Sequence, residues 1–227
     1  MAKTIDDLFV YLRIVSDILL ILGILLLYKG KLRRISGTLP ILLYCIYNVI
    51  FFFLEERITN RTIGIVIYSS YTLFEYAAFA YFILLFVKNA AFKKFMIISS
   101  ILFILSIITI IAFTEFKIID TIPIGLETIL ILIFSFYYLY EQMGDLGSEY
   151  IYNKFPFWVI SGMLIYLAGS FFIYVFAGRV DTAILKEYWF LTNAFYFLKN
   201  IIIAIGLYML IKKPKTQHPK ELYPYLN

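Results

Sequence analysis

Seven long runs of apolar residues divide the chain, and short charged segments separate them. The runs cover about residues 8–28, 39–54, 63–87, 95–113, 121–140, 156–177 and 188–211. About 20 apolar residues in a helix cross the hydrocarbon core of a bilayer. The second run is the shortest, so we expect its helix to extend into its flanks. The pattern predicts an all-α, polytopic membrane protein, a seven-transmembrane-helix bundle over residues 1–211 with a short basic tail at 212–227.

Composition supports the same class. Of the 227 residues, 63% are hydrophobic, and the mean hydropathy is +0.89, well above the range of soluble domains. The net charge of +5 does not indicate nucleic-acid binding, because the basic residues lie in short segments between apolar runs. The expected surroundings are a lipid bilayer, in a multi-pass arrangement in the cell membrane, and the inner membrane if the source is bacterial.

The distribution of Lys and Arg predicts the orientation. The connections after runs 1, 3 and 5, together with the tail, carry 12 basic residues, whereas the N-terminus and the other connections carry 6. Basic residues favour the cytoplasmic side. We therefore expect the N-terminus outside and the C-terminus in the cytoplasm.

Five ionisable residues remain inside the predicted spans: Arg13, Asp17, Glu75, Glu127 and Lys199. Each lies in an odd-numbered span, so their depths can be compared by counting from the start of each run. Arg13 and Glu127 fall in the outer third, Asp17 lies a little deeper, and Glu75 and Lys199 lie near the midplane. Charges at such depths are costly and usually mark a functional site.

Polar residues at helical spacing accompany these charges. Tyr71 shares a face with Glu75, Tyr196 shares one with Lys199, and Asn193 and Asn48 add amides. We expect a polar cavity among spans 1, 2, 3 and 7, in the outer half and midplane, with a Lys199–Glu75 ion pair at its centre. The candidate ligand-binding residues are Lys199, Glu75, Asp17, Arg13, Glu127, Tyr71, Tyr196, Asn48 and Asn193.

Each part of this set also has a structural interpretation. The Lys199–Glu75 pair could simply fix helix register. Arg13 and Asp17, spaced i, i+4, could neutralise each other, and Glu127 could reach the lipid headgroups. Gly162 and Gly169, one heptad apart in span 6, predict a close helix-packing face.

The residue types needed for most intramembrane enzymes are missing. The only histidine is His218 in the tail, and the only cysteine is Cys45 in an apolar run. Neither a histidine-rich zinc site nor a Ser-His arrangement can form inside the membrane from such a sequence. We expect no catalytic residues, no metal site and no enzymatic activity.

Two resemblances follow from these residues. Seven spans with the N-terminus outside, a lysine in span 7 and a carboxylate in span 3 resemble the layout of rhodopsins, which implies a retinal Schiff base on Lys199 and a counter-ion at Glu75. Phe157-Trp158, Ser161-Gly162, Tyr188-Trp189 and Lys199-Asn200 are similar to segments of uncharacterised bacterial seven-span integral membrane proteins, some relatives of which are fused to signalling domains. That resemblance implies a stand-alone sensor-like or accessory protein.

The sequence therefore favours a non-enzymatic sensor, receptor-like or accessory protein with a polar intramembrane pocket. A small secondary transporter or proton-coupled permease is the first alternative, and a retinal-binding photoreceptor or pump is the second. No cofactor is expected otherwise. A signalling or membrane-protein partner would bind the cytoplasmic segments 29–34, 88–94 and 141–155 or the tail.

Overall fold

Seven α-helices make up nearly all of the described chain. The computed structural model describes residues 2–29, 37–55, 57–58, 60–113, 121–144, 150–176 and 182–212. The helices are α1 (Ala2–Lys29), α2 (Thr38–Glu55), α3 (Arg61–Phe86), α4 (Ala90–Phe113), α5 (Thr121–Met143), α6 (Phe155–Phe176) and α7 (Thr182–Lys212), and a 3-10 turn covers Ile151–Asn153. All seven are long and apolar enough to span a membrane, which confirms the predicted fold class. The tail beyond 212 lies outside the described residues.

Several helices extend past the predicted runs. The α2 helix begins at Thr38, after Gly37, whose φ of 95° suits a residue without a Cβ. The α4 helix begins at Ala90 because the Asn89 side chain caps it, accepting a 3.1 Å hydrogen bond from the Phe92 N–H. Residues 182–187 were predicted as part of a connection, but they form the first turns of α7. Charged residues in the first turns of a helix lower the apolar signal without ending the helix.

The helices do not pack in simple chain order. The α1 helix contacts α2 and α7, α2 contacts α3, and α3 contacts α5, which packs on α6, which packs on α7. These six helices form a closed ring. The α4 helix contacts only α3 and α5 among its main neighbours and lies outside the ring. Its exposed large side chains, such as Ile101, Leu102 and Ile108, face the lipid.

The α6 and α7 helices pack most closely, through glycines. A Cβ on Gly162 would lie 3.0 Å from the carbonyl oxygen of Lys199, and one on Gly169 would lie 2.6 Å from the Phe195 ring. A Cβ on Gly206 in α7 would lie 2.8 Å from Cβ of Trp158 in α6. The predicted packing face of span 6 is confirmed. This contact fixes the backbone from which Lys199 projects.

The end of the bundle predicted to be cytoplasmic is held by polar contacts. The Glu141 carboxylate at the end of α5 accepts hydrogen bonds of 2.7 Å from the backbone N–H groups of both Lys88 and Asn89. Nearby, Lys154 Nζ donates a 2.9 Å hydrogen bond to Gln142 Oε1. The α3–α4 connection is thus tied to the end of α5.

Candidate functional site

Lys199 is completely buried and surrounded by aromatic rings. Its exposed fraction is 0%. The Nζ atom lies 3.4 Å from the ring centroid of Tyr196, 4.2 Å from that of Tyr44 and 4.8 Å from that of Tyr166. The negative faces of such rings stabilise a cation that has lost its hydration shell. The cost of burying Lys199 is therefore offset partly by π-systems.

A tyrosine hydroxyl joins Lys199 to Glu75. Lys199 Nζ donates a 2.8 Å hydrogen bond to Tyr44 Oη, and this hydroxyl donates a 2.5 Å hydrogen bond to Glu75 Oε1. A hydroxyl can accept one hydrogen bond while it donates another. The expected direct Lys199–Glu75 ion pair is thus replaced by an arrangement in which Tyr44 separates the two charges. The two residues do lie at a similar depth, as the counting predicted.

Asp17 is held by α7. Its carboxylate accepts hydrogen bonds of 3.0 and 3.1 Å from the Tyr196 hydroxyl and one of 2.9 Å from Asn200 Nδ2. Asn200 Nδ2 also donates to Ser16 Oγ at 2.8 Å. Among the described residues, no cation contacts the Asp17 carboxylate directly; these hydrogen bonds satisfy it and link α1 to α7.

Arg13 does not pair directly with Asp17. Its guanidinium donates hydrogen bonds to Asn193 Oδ1 at 3.4 Å and to Asn48 Oδ1 at 3.3 Å. Its Cζ atom lies 4.4 Å from the Tyr196 ring centroid. Both side chains turn toward α7, where Tyr196 stands between them, so the two charges are not in direct contact.

A cavity of about 320 Å³ opens beside this network. It lies in one half of the bundle, near the starts of the odd-numbered helices and the ends of α2 and α6. All seven helices contribute to its wall. The polar and aromatic lining residues are Asp6, Arg13, Phe51, Phe52, Glu55, Tyr68, Ser69, Tyr71, Thr72, Glu75, Glu127, Thr128, Tyr166, Tyr174, Trp189, Thr192 and Asn193.

The cavity wall contains two buried polar groups without a partner among the described residues. Glu127 is only 2% exposed, and its Oε1 atom has no hydrogen bond. Ser69 Oγ, on the neighbouring α3, has none either. Because Glu127 is buried inside the bundle, the interpretation in which it reaches the lipid headgroups is wrong. Unsatisfied buried groups are rare, and each calls for an explanation.

The structure divides the nine predicted site residues into two groups. Five of them line the cavity: Arg13, Tyr71, Glu75, Glu127 and Asn193. The other four do not border it: Asp17, Asn48, Tyr196 and Lys199. The cavity is therefore not centred on Lys199. Glu75 borders the cavity and also belongs to the buried network.

Some residues of the site were missed. Asp6 lines the cavity and accepts a 3.1 Å hydrogen bond from Asn193 Nδ2. It precedes the first apolar run, yet it lies seven residues before Arg13 and so shares its helix face. Asn200 likewise shares the face of Asn193 and Tyr196. Helical spacing alone could have identified both residues.

The chain matches no protein-family model, and no curated protein and no solved structure is significantly similar to it.

Proposed function

We propose that this multi-pass membrane protein is a non-enzymatic, sensor- or receptor-like protein that binds a small molecule in its intramembrane cavity. The observation that carries the proposal is the buried Glu127 carboxyl in the wall of a 320 Å³ cavity, whose Oε1 atom has no partner in the described part of the chain. Small-molecule sites are commonly concave, largely apolar and about 300–1,000 Å³ in volume, with a few convergent polar groups. A ligand there would satisfy groups that the protein leaves unpaired.

The buried network gives such a ligand a route to influence the helices. Glu75 borders the cavity, and Tyr44 connects it to Lys199, whose backbone carbonyl packs against Gly162 in the α6–α7 contact. A ligand that binds the Glu75 carboxyl would change how strongly this carboxyl stabilises the positive charge of Lys199. We propose that this change shifts α7, and that a partner at the cytoplasmic segments reads the shift.

Native mass spectrometry and an absorption spectrum of gently solubilised protein test the proposal together. We expect a bound small molecule in a one-to-one ratio and no visible band. A visible band that Lys199→Ala abolishes would instead support the retinal interpretation. Solute flux in proteoliposomes would support the transporter interpretation, which uses the same cavity.

A pair of variants connects any bound molecule to the cavity. Ser69→Leu places an apolar side chain in the cavity wall, whereas Ser70→Leu makes the same change at an exposed position next to it that does not line the cavity. We expect the first variant to lose the co-purified molecule and the second to keep it. If neither protein carries a molecule, and no compound in a broad panel raises the melting temperature, the proposed function is wrong.

A further inference from the structure

More carboxyl groups than basic groups line the cavity. Among the described residues that line it, four carry carboxyl groups, namely Asp6, Glu55, Glu75 and Glu127, whereas Arg13 is the one basic residue. Lys199 does not border the cavity; its Nζ donates to the Tyr44 hydroxyl, which in turn donates to Glu75 Oε1. When ionised, these carboxyl groups favour a positively charged occupant.

The single arginine, Arg13, already has interaction partners within the protein. Its guanidinium donates to the amide oxygens of Asn193 and Asn48 and stacks on the Tyr196 ring. The Asn193 amide in turn separates it from Asp6, to which Asn193 Nδ2 donates. Among the described residues, Arg13 forms no hydrogen bond or ion pair with Glu127 or Glu75.

Glu127 and Glu75 border the same space from different helices. Glu127 lies on α5 and Glu75 on the adjacent α3. Glu75 Oε1 accepts the Tyr44 hydroxyl, whereas Glu127 Oε1 has no partner. Two carboxyl groups that share a buried space are costly unless a positive charge or a donor lies between them.

Aromatic side chains complete the wall. Tyr71, Tyr166, Tyr174 and Trp189 line the cavity with the two glutamates, and Trp189 packs edge-on against Tyr174 with their ring centroids 5.9 Å apart. Aromatic faces attract organic cations, and they also cover the apolar part of such a molecule. Carboxyl groups and rings together suit a quaternary or alkylated ammonium better than a bare metal ion, which requires several oxygen ligands.

We propose that the cavity binds an amphipathic organic cation, with its charged nitrogen between Glu127 and Glu75 and its apolar part against the aromatic wall. The proposal rests on the proposed function and names the chemical class of its ligand. In this arrangement Glu127 is the anchor, because it lines the cavity and its Oε1 atom has no hydrogen-bond partner among the described residues. Glu75 connects the bound charge to Tyr44 and Lys199.

Two isosteric probes test the charge preference directly. They are (3-hydroxyphenyl)trimethylammonium and 3-tert-butylphenol. The second compound has a neutral carbon atom in place of the positively charged nitrogen of the first. Binding is measured by titration calorimetry on protein in nanodiscs, with empty nanodiscs as the blank. We expect the cation to bind at least about tenfold more tightly than the phenol, since the desolvated carboxyl and the rings both favour positive charge.

Glu127→Gln tests the anchor, because it keeps the size of the side chain and removes its charge. We expect this variant to lose the preference for the cation. Asp7→Asn is the matched control, because Asp7 is exposed and does not line the cavity, and it should keep the preference. The comparison of the two probes on the unmodified protein does not depend on how any variant folds.

The outcomes separate the two proposals. Equal binding of both probes, as a protonated Glu127 would give, overturns the organic-cation proposal and leaves the proposed function standing. Displacement of the cation by millimolar Mg²⁺ or Ca²⁺ overturns it in favour of a metal site. If neither probe binds but native mass spectrometry finds another bound molecule, only the ligand class is wrong. If neither probe binds and no molecule co-purifies, both proposals fail.

Discussion

Tyrosine side chains separate the opposite charges inside this bundle. The Tyr44 hydroxyl stands between Lys199 and Glu75, and Tyr196 stands between Arg13 and Asp17, accepting the cation on its ring and donating its hydroxyl to the carboxylate. A tyrosine can offer a π-face and a hydroxyl at once. Each charge therefore has an interaction partner in the low-dielectric interior, although the two opposite charges do not contact each other directly.

The Tyr44 hydroxyl is accordingly expected to be important for stability. Tyr44→Phe removes the group that satisfies both Lys199 Nζ and Glu75 Oε1, and we expect it to lower the free energy of unfolding by roughly 2–4 kcal/mol. Cys45 is the only cysteine in the chain and is buried. Thermal unfolding can therefore be followed in detergent by the reaction of Cys45 with a fluorogenic maleimide.

Tyr81→Phe provides the matched control for this measurement. Tyr81 is an exposed tyrosine of α3, so the same loss of a hydroxyl should leave the melting temperature unchanged. Equal melting temperatures for the Tyr44→Phe protein and the unmodified protein would show that Lys199 and Glu75 do not depend on the bridge.

Residue positions could be predicted from the sequence better than residue contacts. Counting along parallel spans gave Lys199 and Glu75 a common depth, because rise per residue is nearly constant in helices. The bridge between them could not be predicted, since it depends on the rotamer of Tyr44 and on the lateral distance between α3 and α7. The burial of Glu127 could not be predicted from the sequence either. In a membrane protein the residues around a position are apolar whether that position faces lipid or the protein interior.

At the level of helices, the α6–α7 contact organises the site. Gly162, Gly169 and Gly206 let the two backbones approach, as small residues do in membrane bundles. The sequence predicted this face from the heptad spacing of two glycines. It did not predict the position of α4 outside the six-helix ring, because lipid-facing and protein-facing surfaces are both apolar in a bilayer and patterning carries little information about neighbours.

The closeness of this contact makes Gly169 sensitive to substitution. A Cβ there would lie 2.6 Å from the Phe195 ring, so Gly169→Ala must displace the ring or separate the helices. We expect a loss of about 1–3 kcal/mol of stability, as for other overpacked cores, measured by the same Cys45 assay. In a Phe195→Ala background, Gly169→Ala should cost much less stability than in the unmodified protein if the clash is its cause.

Gly23→Ala is the control for Gly169→Ala. Gly23 lies in α1, and a Cβ at this position has nothing within 4 Å. The variant should be as stable as the unmodified protein or slightly more stable, because alanine favours helix over glycine. If both alanine variants lowered the melting temperature equally, the α6–α7 contact would not explain the effect.

For the whole molecule, the side on which the cavity opens decides what it can bind. The cavity lies near the starts of the odd-numbered helices, and the Lys and Arg distribution predicts that this half faces outward. Ligands would then arrive from outside, and the Glu141 and Lys154 contacts would lie at the cytoplasmic end. This orientation rests on the sequence alone, so it requires a direct measurement.

Cysteine labelling provides that measurement. In a Cys45→Ala background, Arg57→Cys and Tyr150→Cys introduce thiols at two exposed positions on opposite ends of the bundle. Because the N-terminus is predicted to be outside, a membrane-impermeant maleimide should label the Arg57→Cys protein in intact cells, and the Tyr150→Cys protein only after permeabilisation. The reverse labelling pattern would show that the cavity faces the cytoplasm. An organic cation would then have to come from inside the cell, and the membrane potential, negative inside, would not help to draw it into the site.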